Sequence, residues 1–328
     1  MNRTTKPKLT SAQLVSKLEA KGVTFKYLSK HEAELFLQKR NNFLRVASYR
    51  KNYQKYQSGR NEGKYENLDF SYLQEISVID TLLRYIILQM CLDIEHSLKV
   101  KILYDIENDP NEDGYQVVND FLNNNPRVVN SIEGTSASPF TRDLIDKYFT
   151  VSKIISNGKI IHKITSYDCS AWVLLEMLTF GDFIRFYEFY YHRTNKSTVP
   201  LSLISLTKSM RNACAHNNCI LADLSKGISK NTAYVSQRVA RIPDITKSQR
   251  QKKMTSRAVL EFVGLLCLYD IVVSGKIREH RIHDLKILFS KRMVEKKEYF
   301  SQNNLLVSTY EFVCKVLENL FDDIEPHV

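Results

Sequence analysis

The longest periodic segment of this sequence, Tyr72 to Glu107, constrains the fold more than any other feature. Its apolar residues recur at steps of three or four over about nine turns, the spacing of one buried face of an α-helix. The chain has only 10 Gly and 7 Pro in 328 residues, too few for the many tight turns of an all-β protein. We therefore predict an all-α helical bundle with this segment as its scaffold helix.

The same spacing predicts further helices on both sides of the scaffold. Those that complete the bundle are 168–192, with Ser166 or Asp168 as its cap, 200–218 and 257–274. Those outside it are 11–21 with Ser11 as its cap, 31–56 with a break near 46–48, 283–299, 302–321, and two or three short helices within 108–165. Trp172 and the aromatic residues that follow it are expected in the core.

Composition suggests three consecutive parts of the chain. They are a basic N-terminal helical segment at 1–64, a helical domain at 65–275 and a C-terminal helical extension at 276–328. The polar, Gly-containing stretch 58–67 is expected to be a linker or an exposed turn. The first ten residues are expected to be disordered.

Cysteine usage and hydropathy indicate a cytoplasmic protein without a metal or other cofactor. None of the six Cys residues forms a Cys-x-x-Cys pair, so neither a zinc site nor a disulfide framework is predicted. Cys214 and Cys219 are five residues apart and lack further metal ligands nearby. The N-terminus is polar and basic, unlike a signal peptide. The longest apolar stretch, Val259 to Val273, is too short to span a membrane.

Basic residues are concentrated in two runs. Residues 1–60 hold fourteen Lys or Arg against three Glu, and residues 226–257 hold nine against one Asp. Aromatic residues interleave with the first run, as in surfaces that bind RNA phosphates and stack on bases. The residues predicted to bind RNA are Lys39, Arg40, Asn42, Arg45, Tyr49, Arg50 and Lys51. The alternative is a solvated basic face or, for the second run, a disordered tail.

The residues best suited to chemistry are Arg211, Asn212 and His216, near the end of the predicted 200–218 helix. Leu203, Leu206, Met210 and Cys214 form the buried stripe of that helix. Asn212 and His216 lie about 40° apart on the opposite face. A titratable imidazole and a fixed cation suit RNA cleavage by the RNA's own 2′-hydroxyl, because one moves a proton and the other holds the phosphate.

The spacing of Arg and His is not decisive on its own. An Arg followed by His after four to six residues is expected about once by chance in this composition, and it occurs three times. The other two pairs, Arg185/His192 and Arg278/His283, lack an Asn after the Arg. We therefore expect structural roles for both.

The motif nevertheless resembles the ribonuclease signature of HEPN domains. Arg211-Asn212-x-x-Ala215-His216-Asn217 closes a long apolar helix, as in these all-helical modules, whose Arg-(four to six)-His motif marks metal-independent endoribonucleases. Three further blocks resemble the abortive-infection AbiD/AbiF family of Abi-like phage-defence proteins. They are Asn42 to Tyr49, with Ser48 in place of the usual Gly, Ile79 to Lys99, and Ala171 to Gly181. Together the blocks cover roughly residues 25 to 225, in the order found in the family.

This resemblance implies a HEPN-like bundle and a metal-independent endoribonuclease toxin of phage defence, in which Arg211, Asn212 and His216 are catalytic. A structured companion RNA that restrains the protein is also implied. The alternative function is a non-catalytic RNA-binding regulatory protein that uses the same basic surface. A plain helical scaffold with a chance motif is the third interpretation.

The expected active form is a homodimer. In-line attack needs one group that takes the 2′ proton and another that protonates the leaving 5′ oxygen. The sequence offers one suitable Arg/His pair, so a second copy would supply the other. Glu95 and Glu176 are possible supporting residues, although a helix-surface salt bridge is an alternative for either.

Overall fold

The computed structural model describes residues 7–135, 138–156, 159–196, 198–225, 227 and 232–324, with the backbone alone for 153–156 and 159–162. Fifteen α-helices make up most of this part of the chain, which confirms the predicted all-α class. None of these helices combines the length and apolarity needed to cross a membrane. The predicted disorder of residues 1–10 falls mainly on residues 1–6, outside the described residues.

The helices are labelled in chain order. The first seven are α1 (Ser11–Ala20), α2 (Lys30–Lys39), α3 (Phe43–Ser48), α4 (Phe70–Glu107), α5 (Gln116–Asn124), α6 (Pro126–Thr135) and α7 (Pro139–Tyr148). The others are α8 (Ala171–Met177), α9 (Phe180–Thr194), α10 (Leu201–Ala215), α11 (Ala233–Ala240), α12 (Lys247–Met254), α13 (Arg257–Val272), α14 (Gly275–Ile287) and α15 (Asn304–Leu320). The predicted helices at 72–107, 200–218, 257–274 and 302–321 are thus confirmed.

Helix ends account for most of the errors in prediction. Thr10, not Ser11, caps α1, in a capping box with Gln13. The break in the 31–56 segment comes earlier than predicted, because Asn42 caps α3 by accepting the Arg45 amide. The predicted 168–192 helix is two helices, because Thr179 accepts the Asp182 amide and starts α9.

The predicted 283–299 helix is also wrong in its bounds. Helix α14 begins at Gly275, whose φ of 66° allows a sharp turn directly after α13. It gives way to a π-turn at Leu288–Arg292 and then to a 3₁₀ turn at Lys297–Tyr299.

A β-hairpin was not predicted. Strands β1 (Phe149–Ser156) and β2 (Lys159–Tyr167) pair antiparallel, with Phe149 opposite Tyr167 and a bulge after Thr150. In sequence, two runs rich in β-branched residues flank Asn157-Gly158, a common hairpin turn pair. The low Gly and Pro content, averaged over the chain, concealed this local pattern.

Contacts divide the chain into two units. The first comprises residues 1–91 and 205–328, and the second comprises residues 92–204. One unit therefore contains the N-terminal basic segment, residues 205–215 of α10 (its motif half) and the C-terminal helices.

In the first unit, α1, α2 and α3 bury their apolar residues against the start of α4. This part of the core contains Leu18, Val46, Tyr49, Phe70 and Leu73. Helix α13 approaches the motif half of α10 closely at Gly264, where a Cβ atom would lie 2.5 Å from Leu206 Cδ1. A larger residue at position 264 would therefore require the Leu206 side chain to move.

The second unit has an aromatic core. Phe121 and Phe186 pack edge to face at 5.1 Å between ring centroids, and Phe183, Tyr187 and Tyr190 are fully buried. The prediction for Trp172 is wrong, because 49% of its surface is exposed. Its ring covers Gly114 and contacts Tyr115 edge to face at 5.5 Å.

Candidate active site

The motif helix ends in a Schellman motif built around Asn217. The Asn218 amide donates to the Ala213 carbonyl at 2.8 Å, and the Asn217 amide donates to the Cys214 carbonyl at 3.0 Å. Asn217 has a φ of 56°, a left-handed conformation that Asn adopts more readily than most residues. His216 is therefore the C-cap residue of α10, and the chain reverses directly after it.

The predicted stripe and polar face of α10 are both present. Leu203, Met210 and Cys214 are buried, whereas Leu206 is half-buried. Arg211 and Asn212 are half-buried and His216 is exposed. Burial raises the pKa of the Cys214 thiol to about 12, so this thiol is protonated near neutral pH.

The Arg211 side chain has no ion-pair partner among the described residues. Its Nη1 lies 3.4 Å from Asn212 Oδ1, and its Nε is buried without a hydrogen-bond partner in the same part of the chain. Buried guanidinium groups are normally paired. This cation is therefore available to an anion that approaches the polar face of α10.

The other two Arg/His pairs are neutralised locally. Arg185 Nη1 lies 2.5 Å from Asp182, and Arg278 contacts Asp270 at 3.2 Å and Asp323 at 2.6 Å. Both arginines are therefore already engaged by carboxylates, unlike Arg211.

A buried ion pair from α4 supports the segment after His216. Arg84 Nε donates to Asp80 Oδ2 at 2.8 Å, and only 3% and 0% of these side chains are exposed. Arg84 Nη1 also donates to Asn217 Oδ1 at 2.5 Å, while Asp80 Oδ1 accepts the Leu221 amide at 2.7 Å. Burial raises the pKa of the Asp80 carboxyl, and the hydrogen bonds from Leu221 and Arg84 oppose that shift.

The N-terminal segment contacts the same loop. Arg45 Nη1 donates to the Asn217 carbonyl. Asn52 donates to the Leu221 carbonyl at 2.7 Å and accepts the Leu224 amide at 2.9 Å. Asn303, the N-cap of α15, donates to the Asn52 carbonyl at 3.1 Å. Side chains from α3, α4 and the turn after α3 thus fix residues 217–224.

The residues predicted to bind RNA do not form one uniform surface. Lys39, Arg40, Asn42 and Lys51 are exposed. The Arg50 guanidinium lies 6.0 Å from the centroid of the Phe43 ring and 5.6 Å from that of Tyr65. The prediction for Tyr49 is wrong, because this ring is fully buried and cannot stack on a base.

The two carboxylates proposed as supporting residues have other surroundings. Glu95 pairs with Lys99 at 3.3 Å. This is the helix salt bridge that was the alternative to a supporting role at the site. Glu176 is exposed. Both belong to the second unit, whereas the motif residues 211–216 belong to the first.

Sequence reasoning missed Asp80, Arg84 and Asn52 as site residues. Asp80 and Arg84 lie within the second block quoted for the family resemblance, and that block was the only indication of their importance. Within the described ranges, no group of three or more His, Cys, Asp or Glu residues could hold a metal ion.

Residues 36–222 match the family model described as Abi-like protein. This match covers more than half of the chain. The chain belongs to the Abi-like family of abortive-infection proteins. The matched region contains Arg45, Asp80, Arg84 and the whole motif through Asn217, so it includes the hydrogen-bond partners of Asn217 among the described residues. Neither the curated proteins nor the solved structures gave a match.

Proposed function

We propose that this Abi-like protein is a metal-independent HEPN-type endoribonuclease that acts as a toxin in bacterial phage defence. The observation that carries the proposal is the Arg211 guanidinium, which has no ion-pair partner among the described residues and precedes the exposed His216 by five residues on the same helix. In a polar site, such a cation stabilises the charge that builds up on a phosphate during displacement.

In the proposed reaction, the 2′ oxygen of the RNA bonds to phosphorus and the bond from phosphorus to the 5′ oxygen breaks. One base takes the 2′ proton, and one acid supplies a proton to the leaving 5′ oxygen. The products are a 2′,3′-cyclic phosphate and a 5′-hydroxyl. We assign His216 to one proton transfer, Arg211 to the phosphate, and Asn212 to orienting either group.

The second proton-transfer group is proposed to be His216 of a second copy. Arg185 and Arg278 are neutralised by carboxylates, so the described residues offer one Arg/His pair suited to the reaction. Facing motifs would bring four cationic groups together, and bound RNA phosphate would relieve their repulsion. A restraining RNA could act by keeping the motifs apart.

The second candidate function is RNA binding without cleavage. A polar groove of about 1070 Å³ brings the two basic runs together, since Lys26 and Lys51 of the first run line it with Lys252 and Lys253 of the second. Tyr27 and Tyr56 also line it and are exposed, as stacking on bases requires. Glu19, Glu66, Asp69 and Glu298 line the same groove, which limits its positive charge.

The test is cleavage of total RNA by purified wild type and His216→Ala, with and without chelator. His192→Ala is the matched control, because His192 is also exposed and follows an Arg. Cleavage that leaves cyclic phosphates, survives chelator and is lost only in His216→Ala supports the proposal. RNA that is bound by both proteins and cut by neither supports the second candidate. Cleavage that needs added Mg²⁺ refutes the proposed mechanism.

A further inference from the structure

Two arginine side chains donate hydrogen bonds to Asn217, the residue directly after the C-cap of the motif helix α10. Its side-chain oxygen accepts Arg84 Nη1 and its main-chain oxygen accepts Arg45 Nη1. Asn67, Asn195 and Asn217 are the described non-Gly residues with positive φ. Among these three, only Asn217 has a side chain that accepts a hydrogen bond within the described residues. The side-chain amide of Asn217 therefore has a role beyond making the left-handed backbone conformation accessible.

The ion pair behind Asn217 is not explained by stability alone. Moving two charges into the interior is costly, and apolar residues of similar volume often stabilise a protein equally well. Beyond the ion pair, Arg84 donates to Asn217 and to Thr81 of its own helix, and Asp80 accepts the Leu221 amide. The pair thus fixes the first and the last residue of the five-residue segment 217–221 that follows His216. Its role is to set the position of this segment on α4.

The backbone is what orients His216. Its imidazole is exposed and makes no side-chain hydrogen bond in the described part of the chain. The backbone at His216 fixes the Cα–Cβ bond from which the ring extends, and the contacts of Asn217 hold the peptide group that follows it. An error of about 1 Å in such a group can reduce a rate about 100-fold.

We infer that Asn217 is a positioning residue of the proposed ribonuclease site, through which Arg84 and Asp80 hold His216 in its working direction. This inference rests on the proposed function. Arg84 is buried and cannot reach a phosphate in solution, so its effect on catalysis passes through Asn217. The role differs from that of Arg211, which would contact the phosphate itself.

The variant that isolates this role is Asn217→Gly. Gly adopts the left-handed conformation at no steric cost, so the end of α10 is kept while the acceptor for Arg84 is lost. Because Asn217 is exposed, water can take the place of its side-chain oxygen and the chain should fold. We expect kcat for RNA cleavage to fall about tenfold or more, with KM changed less than about twofold.

Two matched variants complete the design. Asn195→Gly changes the other Asn that ends a helix in the left-handed conformation, with a φ of 50°, and should keep wild-type kcat. Asn217→Asp retains an oxygen acceptor for Arg84 and should recover most of the lost activity. Equal kcat values for Asn217→Gly and Asn195→Gly would overturn the inference. It would also be overturned if Asn217→Asp lost stability and RNA cleavage together.

A readout independent of cleavage separates the inference from the proposed function. In NMR spectra, Asn217→Gly should shift or broaden the His216 imidazole signals, while the Asn218 amide stays protected from exchange by the Ala213 carbonyl. Unchanged His216 signals would refute positioning even in an active enzyme. If Asn217→Gly alters the His216 signals but the wild-type protein cuts no RNA, the positioning role is supported and the proposed ribonuclease activity is refuted.

Discussion

Arg45 donates a hydrogen bond to the main-chain carbonyl of Asn217, a residue 172 positions later in the chain. This contact joins the N-terminal basic segment to the residue that follows His216. Arg45 was predicted as one of several RNA-binding residues, yet its guanidinium contacts the protein. Its role therefore differs from that of exposed neighbours such as Lys39 and Arg40.

Replacement of Arg45 by Ala should lower the rate of RNA cleavage more than RNA affinity. The variant removes the donor to the Asn217 carbonyl, a charge-assisted bond worth about 1.5–3 kcal/mol. We expect kcat to fall about tenfold, measured with KM on one RNA substrate. Lys39→Ala is the control for loss of a basic residue. A change in KM alone would assign Arg45 to RNA binding.

The double variant Lys39→Ala/Arg40→Ala should weaken RNA binding without changing the chemical step. Both residues are exposed at the end of α2, so they are free to contact phosphates. Each lost phosphate contact reduces the slope of log K against log salt by about 0.7–0.9. Filter binding over a range of salt concentrations measures this. Lys276→Ala/Lys291→Ala, two exposed lysines elsewhere, should leave the slope unchanged, and equal slopes in both pairs would contradict the prediction.

Asp80→Ala should destabilise the protein by about 3–5 kcal/mol, because it leaves the buried Arg84 charge without a partner. The double variant Asp80→Leu/Arg84→Met should recover much of this loss, since it removes both charges and keeps apolar volume. Urea unfolding at pH 7 measures the free energies. If the double variant were as unstable as the single one, the destabilisation would come from packing rather than from the unpaired charge.

Ala258→Leu should stabilise the fold by about 1 kcal/mol. Ala258 lines an apolar cavity of about 320 Å³ between α4, α13 and α15, which Met210 of the motif helix and Leu221 of the following loop also line. Added methyl groups there contact existing apolar walls. Thermal unfolding measures the effect, with Ala12→Leu on the exposed face of α1 as the control. A lower melting temperature for Ala258→Leu alone would mean that the cavity walls cannot accept the added volume.

Mixing His216→Ala with wild type in increasing ratio should lower the activity per wild-type chain. A composite site in a homodimer loses one of its two imidazoles in each mixed pair. Cleavage is measured after subunit exchange has been demonstrated with labelled chains. Constant activity per wild-type chain would show that each copy holds a complete site.

The sequence alone determined the features that depend on neighbours along the chain. The buried face of α4 follows from its apolar spacing. The end of α10 follows from Asn217, because a left-handed residue and two backbone hydrogen bonds close a helix without help from distant residues. The motif residues Arg211, Asn212 and His216 were identified on the same local basis, with the family blocks in support.

Only the tertiary structure decided which residues meet and which faces are covered. Tyr49 and Trp172 both lie in aromatic-rich helical stretches, yet Tyr49 is fully buried and Trp172 is half exposed, because covering a ring depends on elements far away in sequence. Arg45, Asp80 and Arg84 reach residues 217–221 from more than 130 positions away. Such contacts follow from the packing of the N-terminal helices, α4 and α10 into one unit, and no local periodicity encodes that packing.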